Sequence, residues 1–257
     1  MQRFTGKTVI VTGSSSGIGQ GTALRFAEEG ANVVLNSRNR KDCEKVAQDL
    51  DEMHTLIVEG DVSEKGFSQD IVARTVERFG ALDVLFSNAG IASSGPFAEE
   101  DDETIDDMLA INVKGMLYMC RDAFPELKKT GGSIICTSSV SGLGGDYGQA
   151  LYTASKGAVT QLVRSLALEW GRDGVRVNAV DPSFTKTDMT EGMDANEELM
   201  QAFMDRLAIK RPAEPRDIAG AVTFLASEDA GYITGVNLPV DGGISASNGQ
   251  PDFRLYK

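Results

Sequence analysis

KTVIVTGSSSGIGQGTALRFAE, residues 7–28, joins a β-branched strand signal to an apolar helical pattern through a glycine-rich turn. Residues 7–12 read as a strand, residues 18–28 as a helix, and GSSSGIG between them as the turn. A strand, a glycine turn and a helix in that order make a phosphate cradle. The glycines let the backbone approach a diphosphate, and the helix start supplies N–H donors and a positive dipole end. The spacing T-G-x-x-x-G-x-G carries one residue more than the usual dinucleotide fingerprint, and a glycine turn that serves packing alone is the competing reading.

Moving outward, the same alternation repeats. Residues 31–36 (ANVVLN), 55–62 (TLIVEGDV), 82–90 (LDVLFSNAG) and 131–139 (GGSIICTSS) read as strands with helical patterns between them. Alternating strands and helices predict an α/β fold, a single domain with a doubly wound parallel sheet and ligands outside the carboxyl ends of the strands. That edge collects Asp61, Val62, Asn88, Ala89, Gly90, Ser138 and Ser139. Asp61 reads equally as a contact to an adenine amino group or, with Ser63 and Glu64 following, as a helix cap. Dinucleotide folds that use the unphosphorylated cofactor place an acid about ~20 residues after the glycine turn. Here Ser37 stands at that place, followed by Arg38, Arg40 and Lys41. Cations at a helix start oppose its dipole unless an anion compensates, and a 2′-phosphate is such an anion. The expectation is NADP(H) over NAD(H), with a solvated basic turn as the alternative.

Residues 139–156, SVSGLGGDYGQALYTASK, end in Tyr152 and Lys156. A helix starting near residue 150 places the two on one face. Tyr, with a reference pKa near ~10, becomes a proton shuttle at neutral pH when a cation favours its phenolate, and Lys156 is that cation. Asp146, Tyr147 and Gln149 lie in the glycine-rich loop before the helix, placed to read substrate shape. Asn112 falls inside an apolar helical pattern, where a polar side chain must be hydrogen-bonded, so both a structural and a catalytic role fit.

The composition narrows the field. A formal net charge of −13 over 257 residues argues against nucleic acid and anionic membrane surfaces as partners and leaves small molecules and other subunits. Apolar runs are too short to span a bilayer, and the start MQRFTGKTVIVTG shows no signal-peptide pattern, which predicts a cytoplasmic protein. With His54 as the single histidine and Cys43, Cys120 and Cys136 scattered, neither a Ser/His/Asp triad nor a metal site is expected, and the cysteines read as small buried residues.

TGSSSGIG at 12–19, Asp61 and Val62, SNAG at 87–90, Asn112, Ser139, YTASK at 152–156 and NAVDPSFTKTDM at 178–189 together resemble the short-chain dehydrogenase/reductase family over nearly the whole chain. The resemblance implies a Rossmann-type domain of seven parallel strands, assembled as a homotetramer, that moves hydride between nicotinamide and a secondary alcohol or ketone. It implies a tetrad of Asn112, Ser139, Tyr152 and Lys156, with Tyr152 as proton donor and acceptor and Ser139 on the substrate oxygen. Lys156 would lower the Tyr152 pKa and bind the nicotinamide ribose, and Asn112 would hold a water linking Lys156 to solvent.

Around the cofactor, the resemblance places Gly13, Ser15, Ser16, Gly17, Ile18 and Gly19 with Ser37, Arg38, Asp61, Val62, Asn88, Ala89 and Gly90. Tyr152, Lys156, Pro182, Ser183, Thr185 and Thr187 complete that set, Thr187 being the stronger of the two threonines as a carboxamide contact. Ser139, Val140, Gln149, Tyr152 and Ser183 are expected around the substrate. Ser183 departs from the glycine usual there, and Ser87 from the first Asn of NNAG.

Residues 140–149, 178–193 and 238–251 resemble the bacterial meso-2,3-butanediol dehydrogenase and acetoin/diacetyl reductase branch, implying a small vicinal diol or hydroxyketone. A reductase of bulkier ketones, a sugar dehydrogenase and a non-catalytic dinucleotide sensor are the alternatives. Helical segments are expected at 189–207, as a lid, and at 215–227. The tail 244–257 reads as a frayed end or as a segment crossing to a neighbouring subunit, with Gln250 near that subunit's pocket.

Overall fold

The computed structural model describes residues 2–190, 192, 193, 196–250 and 253. Seven strands form one sheet: β1 (Thr8–Thr12), β2 (Asn32–Ser37), β3 (Thr55–Glu59), β4 (Val84–Ser87), β5 (Ser133–Thr137), β6 (Arg176–Pro182) and β7 (Asn237–Val240). All pair in parallel, in the order β3-β2-β1-β4-β5-β6-β7. The chain therefore starts in the middle, winds outward to β3, then returns across β1 to build the other half. The crevice between the carboxyl ends of β1 and β4 is the point where the winding reverses.

Strand side chains alternate between two cores, which explains the near-continuous apolar runs. Ile10, Val34, Val58, Leu85, Ile134 and Val177 face a layer that includes α3 (Phe67–Phe79), α5 (Met116–Thr130) and α7 (Ala150–Trp170). Val9, Val11, Val33, Leu35, Phe86 and Ile135 face α1 (Gly17–Glu28), α2 (Arg40–Ala47) and α9 (Pro215–Ala226). Helices α4 (Asp102–Met108), α6 (Val140–Leu143) and α8 (Glu197–Arg206) complete the set. Between α4 and α5, Leu109–Gly115 forms a π-helical turn. Among the described residues no helix is long and apolar enough to cross a membrane.

Helix α1, near the start of the chain, packs on α9 on one face of the sheet. Buried Glu29, just past α1, accepts from Arg3 Nε at 2.6 Å and Arg25 Nε at 2.6 Å, while Arg3 Nη2 donates to Thr223 Oγ1 of α9 at 3.0 Å. The Arg3 hydrogen bond, together with Arg25, holds the Glu29 carboxyl below its ordinary pKa despite burial.

The segment expected to be helical over 189–207 is broken. A short turn at Asp188–Thr190 is followed by Gly192 at φ +82°, and a regular helix begins only at Glu197, where Asn196 accepts from the Leu199 N–H. An asparagine immediately before an acidic start is a helix-initiating signal that competes with a continuous helix. Of the tail, Ile244–Ala246 forms a 3-10 turn and Gln250 is exposed. Residues 251, 252 and 254–257 lie outside the described ones.

Candidate active site

Helix α1 starts without a side-chain cap. Ser16 occupies the N-cap position, makes no capping bond, and no acidic residue stands in the first turn. The N–H groups at this helix start are left for an anion. Behind them the backbone is tightly folded: Gly13 adopts φ +63°, and a Cβ there would lie 2.9 Å from Ala89 Cα. At Gly19 a Cβ would lie 2.0 Å from the Gly13 carbonyl oxygen. The Thr187 side chain lies over the turn, 2.9 Å from a Cβ placed on Gly17. An uncapped helix start behind a cradle that one Cβ would fill fits the diphosphate of a dinucleotide; Ser15 is half-buried in the turn, Ile18 packs on the core beneath it, and Gly19 is buried against Gly13. Two residues the sequence reading passed over hold it. Buried Ser14 exchanges hydrogen bonds with Asn36 of β2, its Oγ accepting the Asn36 N–H at 2.8 Å. Thr12 Oγ1 accepts the N–H groups of Asn88 at 2.9 Å and Ala89 at 3.1 Å.

Asn88 binds three strand ends together. Its Nδ2 donates to the Thr12 carbonyl at 3.1 Å, and its Oδ1 accepts from Thr137 Oγ1 at 3.0 Å. The sheet edge expected to carry ligands is thus a rigid platform made from β1, β4 and β5.

At the tip of β2, Ser37 Oγ donates to the Asn39 carbonyl at 2.6 Å, and exposed Arg38 has no ion-pair partner among the described residues. The helix-start argument for an outside anion does not hold at α2. Glu59 of β3 accepts the Arg40 N–H at 3.2 Å, Asn39 caps the helix through the Lys41 N–H, and the Arg40 side chain pairs with Glu44 at 2.9 Å. Arg38 and Lys41 remain as cations without an ion-pair partner among the described residues. Asp61 caps a turn rather than a helix: its Oδ1 accepts the Ser63 N–H at 2.8 Å and Oγ at 2.7 Å, while α3 begins later behind Gly66. Val62 is buried against Gly115 of the π turn.

Asn112 is fully buried and explains that turn. Its Oδ1 accepts the Ile91 N–H at 2.8 Å, and its Nδ2 donates to the Ile91 carbonyl at 2.9 Å and to Ser155 Oγ at 3.1 Å. The amide therefore mimics a strand partner for the backbone after Gly90. Gly90 faces both Asn112 and Lys156, with a Cβ position 3.1 Å from Asn112 Oδ1 and 3.5 Å from Lys156 Nζ.

Tyr152 and Lys156 lie one turn apart at the start of α7, as the spacing predicts. Lys156 is buried, donates to the Thr137 carbonyl at 2.9 Å, and has Nζ 5.6 Å from the Tyr152 ring centroid. Burial pulls its pKa down to about 8, against the charges of Cys136 and Asp181, which act in the opposite sense. Burial also pushes the Tyr152 phenol above its ordinary value, opposed by hydrogen bonding to Ser139 and reinforced by the Asp146 carboxylate. The expected lowering is absent because the ammonium lies over the ring and is spent on Thr137. Tyr152 is thereby kept as a phenol, a proton donor. Ser139 is buried at the start of α6, where its Oγ accepts the Ser141 N–H at 3.2 Å. Ser138, expected beside it at the edge, is instead buried inward, its Oγ against the Lys156 carbonyl at 3.0 Å and Thr160 Oγ1 at 2.9 Å.

On the substrate side, Val140 opens α6 and Gln149 immediately precedes α7. The loop between them is tied down by the Gly95 N–H on the Gly148 carbonyl at 2.8 Å and by Ser141 Oγ on Asp146 at 2.9 Å. Tyr147 points outward and is 98% exposed. Ser183, next to Pro182 at the end of β6, turns its hydroxyl to the Asp241 carbonyl at 3.1 Å. Thr185 is buried with its hydroxyl on the Ser183 carbonyl at 3.0 Å, which leaves Thr187 as the threonine nearer the glycine turn.

Known proteins resemble the chain over nearly its whole length. A family model described as enoyl-(acyl carrier protein) reductase matches residues 13–245. The chain is 43% identical over 249 residues to a meso-2,3-butanediol dehydrogenase of Serratia marcescens, covering 97% of this chain and 98% of that one. It is 42% identical over 248 residues to a glucose 1-dehydrogenase of Gluconobacter oxydans, covering 95% and 93%. Among solved structures, levodione reductase superposes with a TM-score of 0.90 at 33% identity, covering 95% of this chain and all of that one.

Proposed function

The chain belongs to the short-chain dehydrogenase/reductase family, an NAD(P)-dependent oxidoreductase of small alcohols and ketones, and on that premise we propose a vicinal diol or its hydroxyketone as substrate and NADP(H) as the preferred cofactor. One observation carries the reading: Ser139, Tyr152 and Lys156 converge at the carboxyl edge of the sheet beside an uncapped, glycine-lined helix start. The glycine turn from Gly13 to Gly19 would hold the diphosphate. Asp61 and Val62 would line the adenine, Asn88 to Gly90 the middle of the cofactor, and Pro182, Ser183, Thr185 and Thr187 its nicotinamide end. When bound, the nicotinamide supplies or accepts the hydride.

The chain's own groups handle the oxygen and its proton. Ser139 Oγ orients the substrate oxygen, and the Tyr152 phenol, held protonated by burial, donates its hydrogen to the alkoxide that forms on reduction. In oxidation the same oxygen must first lose its proton, so the two directions carry opposite pH dependences. Lys156 contributes positive charge beneath the site while it keeps its proton. Asn112 fixes the backbone after Gly90 so that the ammonium and the cofactor side of the site share one wall.

The diol reading draws support from the Serratia marcescens relative, and the cofactor reading from Ser37 and from Arg38, which is free to meet a 2′-phosphate. A sugar substrate is the second reading, favoured by the Gluconobacter oxydans relative. A homotetramer fits the exposed apolar residues Leu117 on α5 and Leu168 on α7. The deciding assay measures kcat/KM for diols, hydroxyketones, aldoses and aryl ketones with each cofactor. Highest efficiency on a vicinal diol or hydroxyketone with NADP(H) is expected, and a preference for aldoses would overturn the substrate assignment.

A further inference from the structure

Asp181 is a fully buried acid that the scheme above leaves unused. It stands near the carboxyl end of β6, and among the described residues neither of its side-chain oxygens has a hydrogen-bond partner. The Ser138 hydroxyl beside it is engaged with the Lys156 carbonyl and Thr160 Oγ1. A buried carboxylate without donors costs free energy, so it persists only where a compensating charge faces it.

The faces around Asp181 show what that charge is. From α7 come Lys156 and Arg164, eight residues apart on the same helix face with Thr160 between them. From the turn after β7 comes Asp241, whose own oxygens are occupied by the N–H groups of Gly243 at 2.9 Å and Ser245 at 2.8 Å. Lys156 in turn is buried, and the groups that favour its charged form are Cys136 of β5 and Asp181. Strand register brings the two groups together: Lys156 Nζ donates to the Thr137 carbonyl at 2.9 Å, Thr137 pairs with Val180, and Asp181 follows Val180 on the sheet face that Val177 and Ala179 turn towards α7, with no ion pair to Lys156 among the described residues.

We infer that Asp181 is a positioning residue for Lys156: its carboxylate is the counter-charge that keeps the buried ammonium protonated, and so sets the upper pH at which the Tyr152–Lys156 pair works. The inference rests on the site assignment of Lys156 but on no choice of substrate. Burial raises the Asp181 carboxyl to about 6, against Ser138, Arg164 and Lys156, so it is ionised at neutral pH and can serve this role where Lys156 needs it.

The test has a substrate-free arm and a cofactor arm. Infrared difference spectra of the apoprotein between acid and neutral pH should show a buried protonated carboxyl that titrates near 6 and vanishes in Asp181→Asn. Removing the exposed cation in Arg164→Gln, or the buried one in Lys156→Met, should move that titration up by about half a unit or more. NADPH or NADH fluorescence titration, with whichever binds more tightly, should show the alkaline loss of affinity setting in at lower pH in Asp181→Asn by a similar amount. A carboxyl band indifferent to both cation variants, or superimposable affinity profiles for wild type and Asp181→Asn, would overturn the inference. Either result leaves the diol assignment to its own assay.

Discussion

Tyr152 and Lys156 show how a site can depart from the chemistry its spacing suggests. The i, i+4 relation was readable, but the sign of the phenol's pKa shift was not, because it depends on burial and on the ammonium being taken up by the Thr137 carbonyl. Tyr152→Phe keeps the ring and removes the proton, so turnover should fall roughly 10²–10⁴-fold while NADPH binding by fluorescence is retained. Ser37 and Arg38 were equally readable as types, yet the role of Glu59 at the start of α2 depends on the β2–β3 register, which pairs it with Ser37. Replacing Ser37→Asp together with Arg38→Leu should shift the ratio of NADP(H) to NAD(H) efficiencies about tenfold or more towards NAD(H), measured as kcat/KM for each cofactor. Asp181 was in plain view inside NAVDPSF, but that it is buried without a hydrogen-bond partner among the described residues, on the strand next to the one whose carbonyl Lys156 binds, follows only from the fold.

At the scale of elements, strands and helices followed from β-branched runs and apolar periodicity, and the glycine turn from its spacing. The π turn did not. Seven residues, Leu109–Gly115, continue the apolar pattern of the flanking helices, so nothing local distinguishes them; what imposes the turn is Asn112 reaching Ile91 and Ser155. A π turn holds one residue more than an α turn would, and each residue advances a helix by about 100°. Deleting Ala110 should therefore let the segment close into an α turn with Met116, Met119, Cys120, Ala123 and Leu127 still on the sheet, at the cost of the Asn112 bonds to Ile91 and Ser155. A fall in Tm no larger than that of Asn112→Ala is expected by calorimetry.

For the whole molecule, burial of Asp181 links function to stability. Its carboxyl keeps its proton in the fold up to about 6, against an ordinary value of 3.8. The folded state thus holds more protons than the unfolded one in that window, and this group withdraws stability as pH rises through it. The urea stability of wild type relative to Asp181→Asn should decline between pH 4 and pH 7, by no more than about 3 kcal/mol. The proposed homotetramer is tested at this scale as well. Leu168 is 83% exposed, and Leu168→Glu should yield a smaller species than wild type in sedimentation velocity, since a charge there opposes burial between subunits. The clasp of Arg3, Glu29 and Thr223 has a consequence in time. Helix α1, which carries the glycine turn, packs on α9, some two hundred residues later in the chain. During synthesis the N-terminal half emerges with one face of α1 uncovered and must wait for the last fifth of the chain before that face is closed. Nascent chains stalled before α9 should stay sensitive to protease near α1, and become resistant once α9 has cleared the ribosome.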